Sequence, residues 1–438
     1  LTALRVGDEG ALPESVAERL RAAFGRQISA QEAVAQIVDD VRREGDAALR
    51  DYTRRIEAVP PQTLSVDTAE VEAAYHAAPR DLLHALHRAA DRIRAFHQRE
   101  PRGSWLEWDG EGGALGQVVR PLRRVGIYVP GGTATYPSSL LMSAIPAQVA
   151  GVEEIIVATP PDPRGAASAA ILTAAHLLGI RQVVLLGGAQ AVAALSYGTE
   201  TIPQVDKLVG AGGLFVTLAK KLVYGDVGID GLYGPTETLI VADDRAHPEY
   251  VAADLLAQAE HDPLATALLI TPSEGLAARV QAQVAQRLPS LARKEIITES
   301  LSSRGAILLV ANLDEALTLA DTYAPEHLCL LVADPWPLVG RIRNAGGIFV
   351  GEESSEALGD YVVGPSHIMP TRGTARFASP LRVADFLKVT SIFAVAPTTA
   401  RRLVPAALII ARAEGLTAHA AALAAREHAP PTTERSST

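Results

Sequence analysis

The sequence predicts an α/β fold built from two parallel-sheet modules. Short apolar runs bounded by Gly, Pro and charged residues recur from Val125 onward, from VGIYVP through RQVVLLGG to GGIFVG. Helical patterns separate them, such as AASAAILTAAHLLGI and EGLAARVQAQVAQRL. Strands alternating with helices imply parallel pairing through crossover connections. The 438 residues suffice for two or three domains.

The elements follow in order. Residues 1–25 read as an arm. Ser29 and Glu32 form a capping box before AVAQIVDDVRREG, which predicts a helix. A second long helical stretch runs through VEAAYHAAPRDLLHALHRAADRIRAFHQRE, and Pro79 divides it. GSWLEWDGEGGALGQVVRPL then switches to strand and turn signals. Residues 125–235 form the first α/β block. The second opens at TETLIVAD, passes the helix HPEYVAADLLAQAEHD, and closes on the strand GGIFVG. Glu352 to Ser379 is rich in Gly, Pro, Ser and Thr, and a long irregular stretch of that kind is often functional. Two helices are expected near the C-terminus, at 383–396 and 401–425. PPTTERSST reads as a disordered tail.

Composition narrows the function. Fifty acidic and 40 basic residues leave a formal charge of −10, against the basic stripe of a nucleic-acid binder. No apolar run reads as a membrane span, and the first residues lack an apolar signal core, so a cytoplasmic protein is expected. Cys329 is the single cysteine, so no intrachain disulfide can form. A small-molecule substrate fits this balance best.

Several polar residues stand out against the apolar background. Gln258 and His261 are three apart in a helical pattern and share a face. With Asp360 and His419 they form an N/O set that zinc accepts, although Gln is an unusual ligand and spacing alone does not bring the four together. Asp254 lies seven before His261 and could support it. Glu326-His327 follows Pro325 at the mouth of a predicted strand, where open α/β folds bind ligands. A hydrogen-bonded loop joint is the bland alternative. Both side chains can face one substrate only in a loop geometry. Cys329 shares a strand face with His327, but the run LCLLV reads as core, with the cysteine a small hydrophobe. His367, Arg372 and Arg376 lie in a segment that is either a substrate lid or a solvated connection. Glu414, five before His419, is a plausible carboxylate for a substrate amine. There is no GxGxxG after a first strand and no P-loop. The loops YVPGGTA and VGAGGLF either approach a pyrophosphate or merely turn the chain.

VRREGDAAL, RVGIYVPGG, YPSSLLMSAIPAQVAGV, GGAQAVAALSYGTETIPQVDK, ADLLAQAEHDPLA, YAPEHL, GDYVVGPSH and EGLTAHA together closely resemble the histidinol dehydrogenase family, in family order over nearly the whole chain. The resemblance implies two Rossmann-like parallel-sheet modules, a helical N-terminal region and a small helical C-terminal domain. Residues 26–124 and 236–381 would form one α/β domain with the zinc and substrate site. Residues 125–235 would bind NAD, and 382–438 would serve dimerisation and end in the tail. The implied reaction is four-electron oxidation of L-histidinol through L-histidinal to L-histidine, with two NAD reduced. Gln258, His261, Asp360 and His419 would be the zinc ligands, one ion per subunit. His327 would be the general base and Glu326 the water activator. Thr236, Glu356, His367 and Glu414 would bind substrate; Tyr128, Gln190 and Gly213 would line the cofactor site. The family is an intertwined homodimer, so Glu414 and His419 would reach the partner's active site.

Two departures from the family pattern touch the cofactor and the pocket. Gly213 stands where the family carries an Asn, and Tyr233 replaces a smaller residue and is expected to narrow the pocket. Two other functions compete with histidinol oxidation. One is oxidation of another small polar alcohol, such as a sulfonated diol, with Arg372 or Arg376 binding the sulfonate. The other is a non-catalytic interaction protein, whose hallmark, loss of the ligands or of Glu326-His327, is missing.

Overall fold

The computed structural model describes residues 14–57, 59–131 and 135–427, and these divide into two compact units. Most of the arm, the Gly132-Thr133-Ala134 part of the first glycine loop, and the tail lie outside the described residues.

The larger unit, 1–100 with 122–386, holds two five-stranded parallel sheets. The first runs in the spatial order Gln182–Leu185, Glu154–Thr159, Arg124–Tyr128, Lys207–Val209, Gly228–Ile229. The second runs Gly305–Leu309, Thr266–Thr271, Glu237–Ala242, His327–Leu331, Gly347–Val350. Numbered by sequence, both follow the order 3-2-1-4-5, that of a nucleotide-binding half-fold with its switch point between strands 1 and 4.

Each strand feeds two cores by alternation. Ile240, Cys329 and Leu269 pack on one face of the second sheet with the helix Pro248–Ala259; Leu239, Leu328 and Leu268 pack on the other with Leu313–Tyr323. The first sheet is covered likewise, by Val125, Ile127 and Val157 on one side and Ile156, Ala158 and Leu208 on the other. The N-terminal helices complete these two layers: Val34, Ile37 and Leu49 join one, Leu86 and Ile93 the other. These helices thus pack on the first sheet. The Ser29–Glu32 capping box forms, and Pro79 is the N-cap of Arg80–His97.

The smaller unit, 101–121 with 387–438, is an antiparallel sheet of Trp105–Trp108, Ala114–Pro121 and Leu387–Ala394, followed by the helices Pro397–Ala413 and Thr417–Glu427. Two expectations change here. The helix expected at 383–396 is a single turn, Val383–Phe386, followed by a strand. The β-branched and aromatic content of LKVTSIFA suits a ladder, and all eight residues pair with Ala114–Pro121. The helix expected at 401–425 is two helices, parted at Gly415 with φ +72°. Among the described residues, no helix is long and apolar enough to cross a membrane.

Candidate active site

His327 opens its strand and pairs in register with Thr238 of the neighbouring strand. Its ring is buried at 3% exposure, edge-on to Phe349 at 5.6 Å. Nδ1 lies 3.4 Å from Thr238 Oγ, 3.5 Å from Glu356 and 3.9 Å from Glu326. Nε2 is buried and has no hydrogen-bond partner among the described residues. Burial, partly offset by Asp360, pushes the imidazole down to about 4, so it is neutral at physiological pH.

The turn before the strand orients Glu326. Ala324 takes a left-handed conformation with φ +56°, and Pro325 follows. Glu326 Oε2 then accepts Thr236 Oγ–H at 2.6 Å and Glu237 N–H at 3.0 Å. Burial pushes this carboxyl well above the usual range, against the pull of those two bonds. Glu326 and His327 thus share one side, through the loop geometry the sequence requires. They sit at the amino end of the strand, however, the opposite edge from the one where open α/β folds ordinarily bind ligands.

Around them lies an acidic cluster. Glu356 accepts the Thr238 hydroxyl, and Asp254 accepts Ser355 Oγ–H at 3.0 Å. Burial raises both carboxyls. One ligand atom each from His261, Glu356 and Asp360 lies within 4.8 Å of the others, a spacing that suits a shared cation. Gln258 adds an independent sign. It is fully buried, and neither atom of its carboxamide has a partner among the described residues. Such an orphan costs about 1–3 kcal/mol unless something satisfies it, and a cation at its oxygen would do so. The residues present therefore fit a metal ion. The helix ends at Ala259, so His261 lies just past its end, joined to it by an N–H donated to Gln258 O at 3.4 Å.

A cavity of about 640 Å³ adjoins this cluster, lined by His261, Glu356, Asp360, Glu260, Arg293 and Tyr136 among others. His367 ties the nearby segments together. Nε2 is 3.1 Å from Ser139 Oγ, and Nδ1 is 2.9 Å from the Asp360 carbonyl. Burial lowers its pKa. Arg372 and Arg376, the cations expected for a sulfonate, do not line the cavity. Arg372 donates its backbone N–H to Glu237, and a Cβ on Gly234 would meet its side chain; Arg376 Nε donates to Gly373 O. Tyr233 does not narrow the cavity either. It packs into the core beneath the first sheet, its ring 4.9 Å from Lys220 Nζ.

The cofactor candidates gather at the carboxyl edge of the first sheet. Tyr128 ends the central strand; its hydroxyl accepts Gly188 N–H at 3.3 Å, and burial pushes its pKa up to about 12. Gln190 is buried in the first turn of Gly188–Tyr197. Gly213 is the N-cap of Leu214–Val223, and nothing lies within 4 Å of a Cβ added there. His419 and Glu414 belong to the smaller unit, where both are exposed. Thr238 and Ser139 were not singled out from sequence. Thr238 comes to the site through its register with His327, which local sequence does not show.

A fold of two such sheets, with a histidine–carboxylate pair beside a metal-type cluster, defines an enzyme site. The model of the family described as histidinol dehydrogenase matches residues 21–427. The histidinol dehydrogenase of Deinococcus radiodurans is 53% identical over 417 residues, 95% of each chain. That of Moorella thermoacetica is 50% identical over 422 residues, 95% of this chain and all of that one. The crystal structure of the Elizabethkingia anophelis histidinol dehydrogenase superposes with TM-score 0.87 at 34% identity, covering 94% of this chain and 96% of that one. The chain is an oxidoreductase. It belongs to the histidinol dehydrogenase family.

Proposed function

We propose that the protein oxidises L-histidinol through L-histidinal to L-histidine in two NAD-dependent steps, closing histidine biosynthesis in the cytoplasm. The observation that carries this reading is the buried Glu326–His327 pair beside the His261–Glu356–Asp360 cluster. The base must be neutral to accept a proton, and the burial of His327 keeps it so. Its Nδ1 faces Thr238 and Glu356, leaving Nε2 to take the proton of the alcohol. The aldehyde has no hydroxyl proton to give up, so the second step needs a hydrate. Glu326, held by Thr236 and the Glu237 N–H, would take the proton from the attacking water.

Gln258, His261 and Asp360 would hold a zinc ion, with His419 supplied by a partner subunit. Bound zinc would anchor the imidazole and amine of the substrate, and NAD would accept hydride from its carbon. Glu356 and His367 would orient the substrate from this chain, and Glu414 from the partner. Tyr128, Gln190 and Gly213 would line the dinucleotide. The homodimer is supported by the apolar surface of the smaller unit, where Trp108, Phe393 and Ile409 are more than two-thirds exposed.

The lining of the cavity favours an amine-bearing substrate over a sulfonate. Glu260, Glu356 and Asp360 line it as acceptors, and Arg293 is the one Lys or Arg among its described lining residues. The deciding experiment is the NADH yield per L-histidinol with zinc-loaded protein and excess NAD. Two NADH per substrate, with histidine as product, is the expected result. No NADH from folded, zinc-bound protein would overturn the substrate.

A further inference from the structure

Lys220 and Asp230 form an ion pair sealed from water, with side chains 2% and 1% exposed and Nζ 2.5 Å from Oδ1. None of the roles above uses it. Burying two charges is expensive, and apolar replacements of such pairs are often neutral or stabilising, so stability alone does not account for it.

The pair grips one residue from both sides. Gly210 N–H donates to Asp230 Oδ2 at 2.7 Å, and Gly210 C=O accepts from Lys220 Nζ at 2.8 Å. Asp230 Oδ1 also accepts Gly231 N–H at 2.8 Å. The Tyr233 ring covers the ammonium, and the Tyr233 carbonyl is held by Thr217 Oγ at 2.9 Å. Gly210 is the first residue after the strand Lys207–Val209, with φ +113°. A Cβ there would stand 2.1 Å from the Tyr128 carbonyl oxygen, so only glycine fits. Tyr128 ends the adjacent strand, and the two strands flank the switch point. From Gly210 the chain runs through Ala211 and Gly212 to the Gly213 N-cap.

We propose that Lys220 and Asp230, roofed by Tyr233, are positioning residues for the coenzyme: they lock the Gly210–Gly213 turn against Tyr128 in the one path that leaves room for the dinucleotide. This rests on the assignment of NAD to this edge. Gly212 and Gly213 have no side chains to stiffen the turn; Thr217 holds their carbonyls at the helix end, and the clamp at Gly210 fixes the strand end. A turn released from the clamp would hold its binding-competent path only part of the time, and apparent affinity falls by that fraction.

The test compares the unsubstituted dimer with the double variant Lys220→Met/Asp230→Leu, which removes both charges together, and with the isosteric Asp230→Asn. Calorimetric titration with NAD, amide exchange over 207–214, zinc content and the KM for histidinol are measured on each. Both variants are expected to bind NAD about tenfold or more weakly, as for a competent fraction near one-tenth. Exchange at Gly210 should quicken, with zinc content and histidinol KM unchanged. An NAD affinity within twofold of the unsubstituted protein, in either folded variant, overturns the proposal. If the double variant does not fold, Asp230→Asn alone decides by the same criterion. Absence of NAD binding by the unsubstituted protein would instead sink the coenzyme assignment itself, and the positioning role with it.

Discussion

The hydroxyl of Thr236 donates to Glu326 Oε2 at 2.6 Å across 90 residues of sequence. It is one of two bonds that hold this buried carboxyl toward its ionised form, against a burial that raises its pKa. Thr236→Val removes the stronger polar neighbour and keeps the shape. The carboxyl should then stay protonated to higher pH. The acidic limb of the kcat profile should move up by roughly one pH unit, the worth of one such bond. An unmoved limb would separate Glu326 from the rate.

His327→Asn keeps a polar group at the head of the strand and removes the proposed base. Turnover should fall by about 10²–10⁴, the usual contribution of a positioned acid–base group. Zinc content and histidinol binding should persist, because His327 lies outside the proposed ligand set. Near-normal turnover would end its assignment as base.

Cys329 lies on the same strand but inside the core, packed with Ile240 and Leu255, and burial pushes its thiol well above its usual pKa. Cys329→Ala should cost about 1 kcal/mol of stability, the scale of one buried methylene, and leave kcat intact. Abolished activity in a folded variant would point to covalent catalysis through the sulfur.

At Gly213 the backbone already has an N-cap conformation, φ −66° and ψ −176°, and an added side chain meets open space. Gly213→Asn should be accommodated and gain a few tenths of a kcal/mol as a better cap. If the side chain also reaches the coenzyme, NAD affinity should improve about threefold or more, one modest hydrogen bond. Titration with NAD reads the result, and unchanged affinity would mean the departure at this position is silent.

Glu237 offers a pH dependence with a definite sign. Burial raises its carboxyl to about 7 from 4.5, against the Arg372 N–H that stabilises the charge. A raised carboxyl binds its proton more tightly in the folded state. Its contribution is complete below pH 4.5 and is lost as pH rises through 7, at up to about 1.4 kcal/mol per pH unit. Glu237→Gln should abolish that loss. Denaturation midpoints of the variant should match the wild type near pH 4.5 and exceed it at pH 8; identical curves would show the acid titrates normally.

Much of this was legible beforehand, for physical reasons. Strands buried on both faces spell themselves as runs such as TETLIVAD, and the Ser29–Glu32 box announces its helix. The helix expected at 383–396 failed because the partner that makes LKVTSIFA a strand, Ala114–Pro121, lies more than 260 residues away. The same non-locality hid the role of Thr238, which register with His327 brings to the site. The placement of Glu326-His327 at a strand start, the amino edge of a parallel sheet, was readable, but the cluster gathered at that edge was not. Sequence shows that a strand starts there, while topology shows which end the cavity meets. Nothing local in AKKLV marks Lys220 as buried, because its partners Asp230 and the Gly210 carbonyl lie ten residues away on either side.

The two sheets share one strand order, yet their candidate residues lie at opposite edges, the carboxyl edge around Gly188 and Gly213 for the proposed coenzyme and the amino edge around Thr238 and His327 for the proposed chemistry. Damage to this enzyme should therefore come in two genetic kinds. Histidine auxotrophs with lesions along the first edge would be leaky, and a richer coenzyme supply would rescue them. Lesions along the second would be tight at any supply.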